Sequence, residues 1–334
     1  MVDSPTHEST MASILEVEMT AYLLRRIVQI PFVIVVTSLV IFLLIHLTPG
    51  DPVNEILGLH ATPEMVRVWR HKLGLDRPLH VQYLSWLWKA SHGDLGQSIR
   101  SAQPVLKLIL DRLPLTFVLI TLAMLFSLAV SIPAGIISAW KCGKFPDYAV
   151  MFLTLIGISM PQFGFAIILI MVLALRLDLL PISGIGLVKP LQEPWRFAQY
   201  AIMPVLTLGL GLTALETRLL RSCMLDALSE EYIRVARAKG LREYFILTRH
   251  AFRNALIPLI TVVATYYALG MGASIIVESI FGIPGLGSLL IEAVWARDIP
   301  VVQGCTFFIA IFFVVANLVA DILYVYVDPR IRFQ

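Results

Sequence analysis

Apolar residues in this chain gather into long blocks instead of being spread evenly. Six blocks, at residues 22–47, 115–140, 148–175, 200–220, 256–277 and 302–327, are each long enough to cross a bilayer as a helix, which takes roughly 20 residues. The pattern predicts an all-α membrane protein with six transmembrane helices. Most polar residues fall between the blocks, above all in the stretches 48–114 and 222–257.

The basic residues orient the helices. Arg25 and Arg26 open the first block, Lys141 and Lys144 follow the second, Arg218 and Arg221 close the fourth, and Arg330 and Arg332 end the chain. All of them lie on one side if both termini are cytoplasmic, in line with the excess of Lys and Arg in cytoplasmic loops. The expected organisation is a polar, disordered N-terminal extension (1–18), a first transmembrane helix (19–47), an external region (48–114), a core of five helices (115–327) containing the cytoplasmic loop 222–257, and a cytoplasmic tail (328–334). The extension is acidic and lacks an apolar centre and a small-residue cleavage site, so it does not read as a cleavable signal.

Composition agrees with the pattern. A mean hydropathy of +0.81, with 58% apolar and 15% charged residues, lies outside the range of soluble domains. The net charge of +3 is small, and its distribution says more than its sum. Cys142, Cys223 and Cys305 have no paired spacing, so free thiols are expected rather than a disulfide or a zinc site.

The external region carries helix signals of its own. Thr62 is a good N-cap with Pro63 at the first helical position; Val66, Trp69 and Leu73 follow at helical spacing and Gly74 is placed to end the turn. A second short helix is expected over 81–88, with Trp86 and Trp88 placed for a membrane interface. Such a cap either shields the bundle or docks a partner. Within the blocks, Pro133, Pro161 and Pro204 are helix breakers, while Gly209, Gly211, Gly270 and Gly272 allow close helix approach. Around Pro161, the run Ser159 to Phe163 puts polar groups near the middle of the third block. Met160, Pro161 and Gln162 are therefore candidates for lining a pathway, with plain packing as the alternative.

Enzymatic signatures are missing from the sequence. It has no GxxxxGK[ST] loop, no HExxH, no GxSxG and no metal-binding cysteine pair, so no catalytic, cofactor-binding or metal-ligating residue is expected. Glu216, Glu278 and Asp321 lie toward the ends of their predicted helices, where an interfacial carboxylate costs little. An ion-coupled carrier would keep acids nearer the middle. Energy for any transport is thus expected from outside this chain.

The loop 222–257 is the most patterned polar stretch. From Cys223 to Leu256 it holds six Lys/Arg and four acids. Ser229 can cap a helix whose first turn carries Glu230 and Glu231, Glu230 can pair with Arg234, and Gly240 can end the helix in a left-handed turn. Tyr232, Val235, Ala236 and Lys239 share one face of it. A second helix from near Arg242 sets Tyr244, Leu247, Ala251 and Ala255 on one side and Arg242, Arg249 and Arg253 on another. Ala236, Ala238 and Gly240 leave room for a partner. Satisfying the orientation rule and binding anionic lipid are the competing explanations.

Residues 231–241 (EYIRVARAKGL) and 253–258 (RNALIP) resemble the EAA loop of ABC-importer permeases, and more narrowly the first permease of the dipeptide/oligopeptide/nickel group. The resemblance runs from Met19 through nearly the whole chain. It includes PGDP (49–52), LGLDRP (73–78), GDLG (93–96), FGIPGLG (281–287), Arg297-Asp298 and DPRIR (328–332). Arg234 and Val235 depart from the EAA consensus, as is common in the peptide branch.

The resemblance implies a type I ABC importer-like permease in a bacterial or archaeal cytoplasmic membrane, moving peptides or else nickel, glutathione or another small solute. Its implied partners are a second permease, two cytoplasmic ABC ATPase subunits or domains that hold ATP-Mg, an external solute-binding protein and the bilayer, with no nucleic acid. Glu231, Tyr232, Ala236, Lys239 and Gly240 would belong to the helix that couples to the ATPase, and Arg253, Asn254 and Pro258 would pass its movement to the fifth span. The alternatives from other classes are a stand-alone ion-coupled carrier and a scaffold that recruits a cytoplasmic protein. A charged side chain at Ala236 or Gly240 is expected to block uptake without preventing insertion.

Overall fold

A computed structural model describes residues 29–44, 47, 62–73, 76–188, 190 and 192–327. Among them there is no strand, only an isolated antiparallel bridge between Gln97 and Pro104. The helices are α1 (Gln29–Leu44), α2 (Pro63–Leu73), α3 (Leu79–Ser91), α4 (Val105–Trp140), α5 (Phe145–Ser159), α6 (Gln162–Leu169, continued by a wide π turn Ile170–Arg176), α7 (Pro194–Ser229), α8 (Glu231–Ala238), α9 (Glu243–Phe281), α10 (Leu286–Trp295) and α11 (Ile299–Val327). The N-terminal extension, PGDP, Gly74 and the C-terminal tail lie outside the described residues.

Four of these helices are long and apolar enough to cross a membrane: α4, α7, α9 and the stretch Ile299–Val319 of α11. The pair α5 and α6 makes a fifth if counted as one broken span. The sequence pattern predicts a single helix over 148–175. Instead, α5 and α6 meet at 102°. Pro161 explains the break: its ring pushes the preceding residue out of the helical region, and Met160 sits at φ −84°, ψ 121°.

The second and fourth spans are longer than predicted. Each is a 36-residue helix, about 54 Å at 1.5 Å per residue, which is well beyond the ~30 Å hydrocarbon core. Both therefore reach past the lipid into the adjoining water layers. At the start of α2, the amide of Met65 donates to the Thr62 hydroxyl at 3.3 Å, as the sequence predicts. The α3 helix lies against the bundle. Tyr83 shares a 2.9 Å hydrogen bond with Ser38 of α1, and Trp86 packs edge-on against Phe307 of α11 with ring centroids 5.1 Å apart. Trp86 is thus a packing residue, while Trp88 is 70% exposed.

Buried carboxylates staple distant segments together. Asp298 accepts the Ser98 hydroxyl at 2.5 Å and the Ile99 amide at 3.1 Å, which brings the turn just after GDLG onto the connection between α10 and α11. Glu278 accepts the Thr116 hydroxyl at 2.7 Å and the Ser288 amide at 3.0 Å, capping the N-terminus of α10 where the helix dipole favours an anion. Glu216 takes the hydroxyls of Ser127 and Ser131 on one oxygen, at 2.5 and 2.9 Å. Its other oxygen has no partner among the described residues.

Both glutamates are fully buried inside the protein; Glu278 lies in the last turn of α9, toward a helix end as expected, but Glu216 does not. Because α7 continues to Ser229, Glu216 lies in its interior, and Ser127 and Ser131, one turn apart on α4, supply the donors that make its burial tolerable. The side chain of Asp321 lies outside those described.

Two of the three glycines of FGIPGLG are set by close approach to α9, while Gly282 ends α9 with φ +59°. A Cβ on Gly285 would overlap the Glu278 carboxyl, and one on Gly287 would meet the Ile275 backbone. Gly285→Ala and Gly287→Ala are each expected to lower stability by about 1–3 kcal/mol, the usual cost of overpacking. Thermal unfolding of the solubilised protein checks this, and an unchanged Tm for both variants would contradict it.

Candidate functional site

The loop between α7 and α9 folds into α8 and a tight return. Ser229 does not cap α8 as predicted. It ends α7 and donates to the Asp226 carbonyl at 2.7 Å, leaving Glu230 as an N-cap residue with extended backbone and no side-chain cap. No Glu230–Arg234 ion pair forms among the described residues; Arg237 pairs with Glu243 across the return at 2.7 Å. The carboxylate beside it raises the Arg237 pKa above its ordinary value.

Gly240 ends α8 as the sequence predicts, with φ +77°. The Gly240 amide bonds to the Arg237 carbonyl at 3.0 Å and the Leu241 amide to the Ala236 carbonyl at 3.3 Å. This is the pairing of a Schellman stop.

The face of α8 that is buried differs from the one assigned in sequence. Ile233 and Ala236 are the buried residues of α8. They join a cluster with Leu220 and Met224 of α7, Ala139 of α4, and Leu247, Ala251 and Ala255 of α9. Ala236 is therefore packed inside this chain and is not open to a partner. A charge there would disturb this packing as well as any partner contact, so its effect on uptake would not report docking alone. Gly240 is exposed, and a Cβ there meets nothing within 4 Å.

What α8 and the return leave outward is apolar: Tyr232, Val235, Leu241, Tyr244 and Phe245, the most open being Tyr244 at 70%. Glu231, Arg234, Lys239 and Arg242 are exposed around them. Tyr244 departs from its predicted side because the π turn Ile246–Ala251 alters the helical register, bringing Ile246 into the buried set. Of the residues predicted to carry movement into α9, Asn254 donates to the Tyr232 hydroxyl at 2.6 Å. Arg253 is exposed and Pro258 lies inside α9; neither is tied to α8.

Farther along the bundle, a cavity of about 270 Å³ opens among α4, α5, α6, α7 and α9. Met160 and Gln162 line it; Pro161 makes the bend and is not part of the lining. Gln162 reaches the Thr207 carbonyl at 3.5 Å. Sequence reasoning missed Gly157, Thr207 and Tyr266 as lining residues. It singled out Gly211 and Gly270 for close helix approach, and both line the cavity; Gly209 packs under Phe126.

Comparison with known proteins places this geometry. Residues 131–333 match the family model described as binding-protein-dependent transport system inner membrane component, and residues 19–123 match the model of its N-terminal part. A putative peptide transport system permease protein of Brucella abortus is 41% identical over 316 residues, covering 95% of this chain and 100% of the relative. The oligopeptide transport system permease protein AppB of Bacillus subtilis is 39% identical over 317 residues, covering 94% and 100%. The glutathione transport system permease protein GsiC of Escherichia coli is 36% identical over 316 residues, covering 95% and 100%. Among solved structures, a chain of the MetNI methionine ABC transporter in inward-facing form shares the fold, with a TM-score of 0.52 at 15% identity, over 66% of this chain and 96% of that one.

The Tyr232–Asn254 bond is expected to hold α8 to α9. Tyr232→Phe and Asn254→Ala should each cost about 1 kcal/mol, and the double variant little more than either. A double-mutant cycle in thermal unfolding reads this directly; fully additive losses would mean that the two side chains do not act together.

Proposed function

This chain belongs to the family of binding-protein-dependent transport system inner membrane components, and from that premise we propose how it works as a permease subunit moving peptides into the cytoplasm. It is a multi-pass inner-membrane protein of an ABC importer. In the proposed arrangement six helices span the bilayer with both termini cytoplasmic, α1 and the pair α5–α6 completing the set. A second permease shares the pathway, two ATPase subunits holding ATP-Mg supply the energy, and an external solute-binding protein delivers the peptide, with the external region 48–114 as its contact.

The observation that carries this reading is the exposed apolar surface of α8 and its return. Five large apolar or aromatic side chains on a charged loop form the kind of patch that marks a docking site. Their backbone is fixed by the glycine stop, the Arg237–Glu243 pair and the Tyr232–Asn254 bond. A preformed helix of this sort fits a groove on a protein partner better than it fits a fluid headgroup layer. The partner assigned to it is the ATPase.

When the ATPases close on ATP, α8 is pushed. It moves with α4, α7 and the start of α9, because Ile233 and Ala236 are packed into their shared core. Those helices run on to the cavity, which is the proposed peptide pathway. From Met224, at the core, to Thr207, at the cavity, α7 spans roughly 25 Å. Glu231, Lys239 and Arg253 then act at the docking rim, and Asn254 as the tie to α9. Import of glutathione, nickel or another small solute by the same architecture is the second reading, favoured by the glutathione relative. Ligand identification on the solute-binding protein separates the two.

Val235→Glu places a charge in the exposed patch without touching the core. It is expected to cut uptake at least about ten-fold, a loss of ~1.4 kcal/mol or more in coupling, with the amount of inserted protein unchanged. Normal uptake by this variant would refute the docking role. Gly211→Leu partly fills the cavity and is expected to reduce peptide uptake by about ten-fold or more while ATP hydrolysis continues. Unimpaired uptake would remove the cavity from the pathway.

A further inference from the structure

At the same end of the bundle as α8 lies a second polar construction, outside the loop. Asp147, in the first turn of α5, is 3% exposed. It accepts the Arg221 Nε at 2.7 Å on one oxygen and the Arg221 Nη2 at 2.8 Å on the other. The Ser138 hydroxyl and the Gly143 amide complete the set at 2.5 and 2.9 Å. Each carboxylate oxygen thus has two donors, and the guanidinium engages it as a fork, which fixes orientation as well as distance. Ser138 lies near the end of α4, Gly143 in the turn between α4 and α5, and Arg221 on α7 in the stretch leading to α8. Four pieces of chain converge on one carboxylate.

Beyond Asp147, α5 turns one narrow face to the bundle. Its other buried residues are Thr154 and Gly157, while Phe152, Leu153 and Leu155 are more than half exposed. Gly157 faces Ala214 of α7, so α5 packs along α7 from the Asp147–Arg221 pair at one end to Gly157 at the other. The far end leads straight to Met160, where the helix bends and lines the cavity. The near end is the Asp147–Arg221 pair. A buried ion pair is a poor source of net stability, and what this one supplies is a fixed relation between α5 and α7.

We propose that Asp147 and Arg221 are positioning residues for transport: their pair makes α5, and with it the bend at Met160–Pro161, follow α7 when α8 is displaced. Without the pair, α7 still moves with α8 but α5 no longer tracks it, and ATP is hydrolysed with little opening of the cavity. This inference rests on α8 being the helix that the ATPase grips.

The test uses the complete importer in liposomes, with its ATPases, second permease and solute-binding protein. Asp147→Asn removes the charge with almost no change of shape, and Arg221→Lys keeps the charge but loses the fork. For each, peptide transported per ATP hydrolysed is expected to fall about ten-fold, with stimulated ATP hydrolysis within about two-fold of the parent. A purely structural role would lower the amount of assembled complex, or reduce transport and hydrolysis together, leaving the ratio unchanged; that result overturns the proposal. If Asp147→Asn does not assemble, the ratio for Arg221→Lys decides. Val235→Glu serves as the control for the premise. If it abolishes stimulated hydrolysis while the ratio in the two clamp variants stays normal, the clamp alone is refuted. If Val235→Glu transports normally, the docking role of α8 falls instead.

Discussion

The burial of Ile233 and Ala236 is the contact on which the mechanism depends. An eight-residue helix is too short to be stable by itself in water, so α8 exists because its inner face is packed into a core shared with α4, α7 and α9. That packing turns a loop into an extension of three long helices. Whatever pushes α8 pushes them, and the apolar side chains that α8 cannot bury inward are left for a partner.

A second constraint follows from the bilayer. Polar groups inside it must be satisfied within the protein, and the buried carboxylates draw hydroxyl and amide donors from distant segments, with one Glu216 oxygen left without a partner among the described residues. Asp298 holds the turn at Ser98–Arg100, Glu278 holds the start of α10, Asp147 holds α4, α5 and α7, and Glu216 holds α4 against α7. Each joins pieces that the hydrophobic effect alone would leave free to slide, because lipid is as apolar as the helices it surrounds. Segments far apart in the sequence, such as Ser98–Arg100 and Asp298, turn out to be two halves of one contact.

How much of this was legible in the sequence depended on the range of the forces involved. Block length and the placement of Arg and Lys gave the helical membrane class, and local turn chemistry gave Thr62 and Gly240 their roles. The break at Pro161 was readable as a proline near midspan, but its size depends on how α5 and α6 pack, which no local rule encodes. The helix at Glu231–Ala238 was located correctly and its faces were assigned wrongly. Ala236 looked like space for a partner because small residues serve both purposes, and only the neighbours, Leu220 and Met224 among them, decide between the two. Tyr244 was misplaced by a π turn that leaves no mark in the residue pattern. Glu216 was misjudged because apolar block length underestimates helix length where polar residues continue the helix beyond the lipid.

The central claim is that the outward side of α8 is the surface gripped by the ATPase. The most direct measurement is photo-crosslinking from a probe residue at position 235 in the assembled importer, with products identified by mass. The account predicts a crosslink between this chain and an ATPase subunit. Crosslinks confined to lipid, with none to the ATPase in the presence or absence of nucleotide, would contradict it.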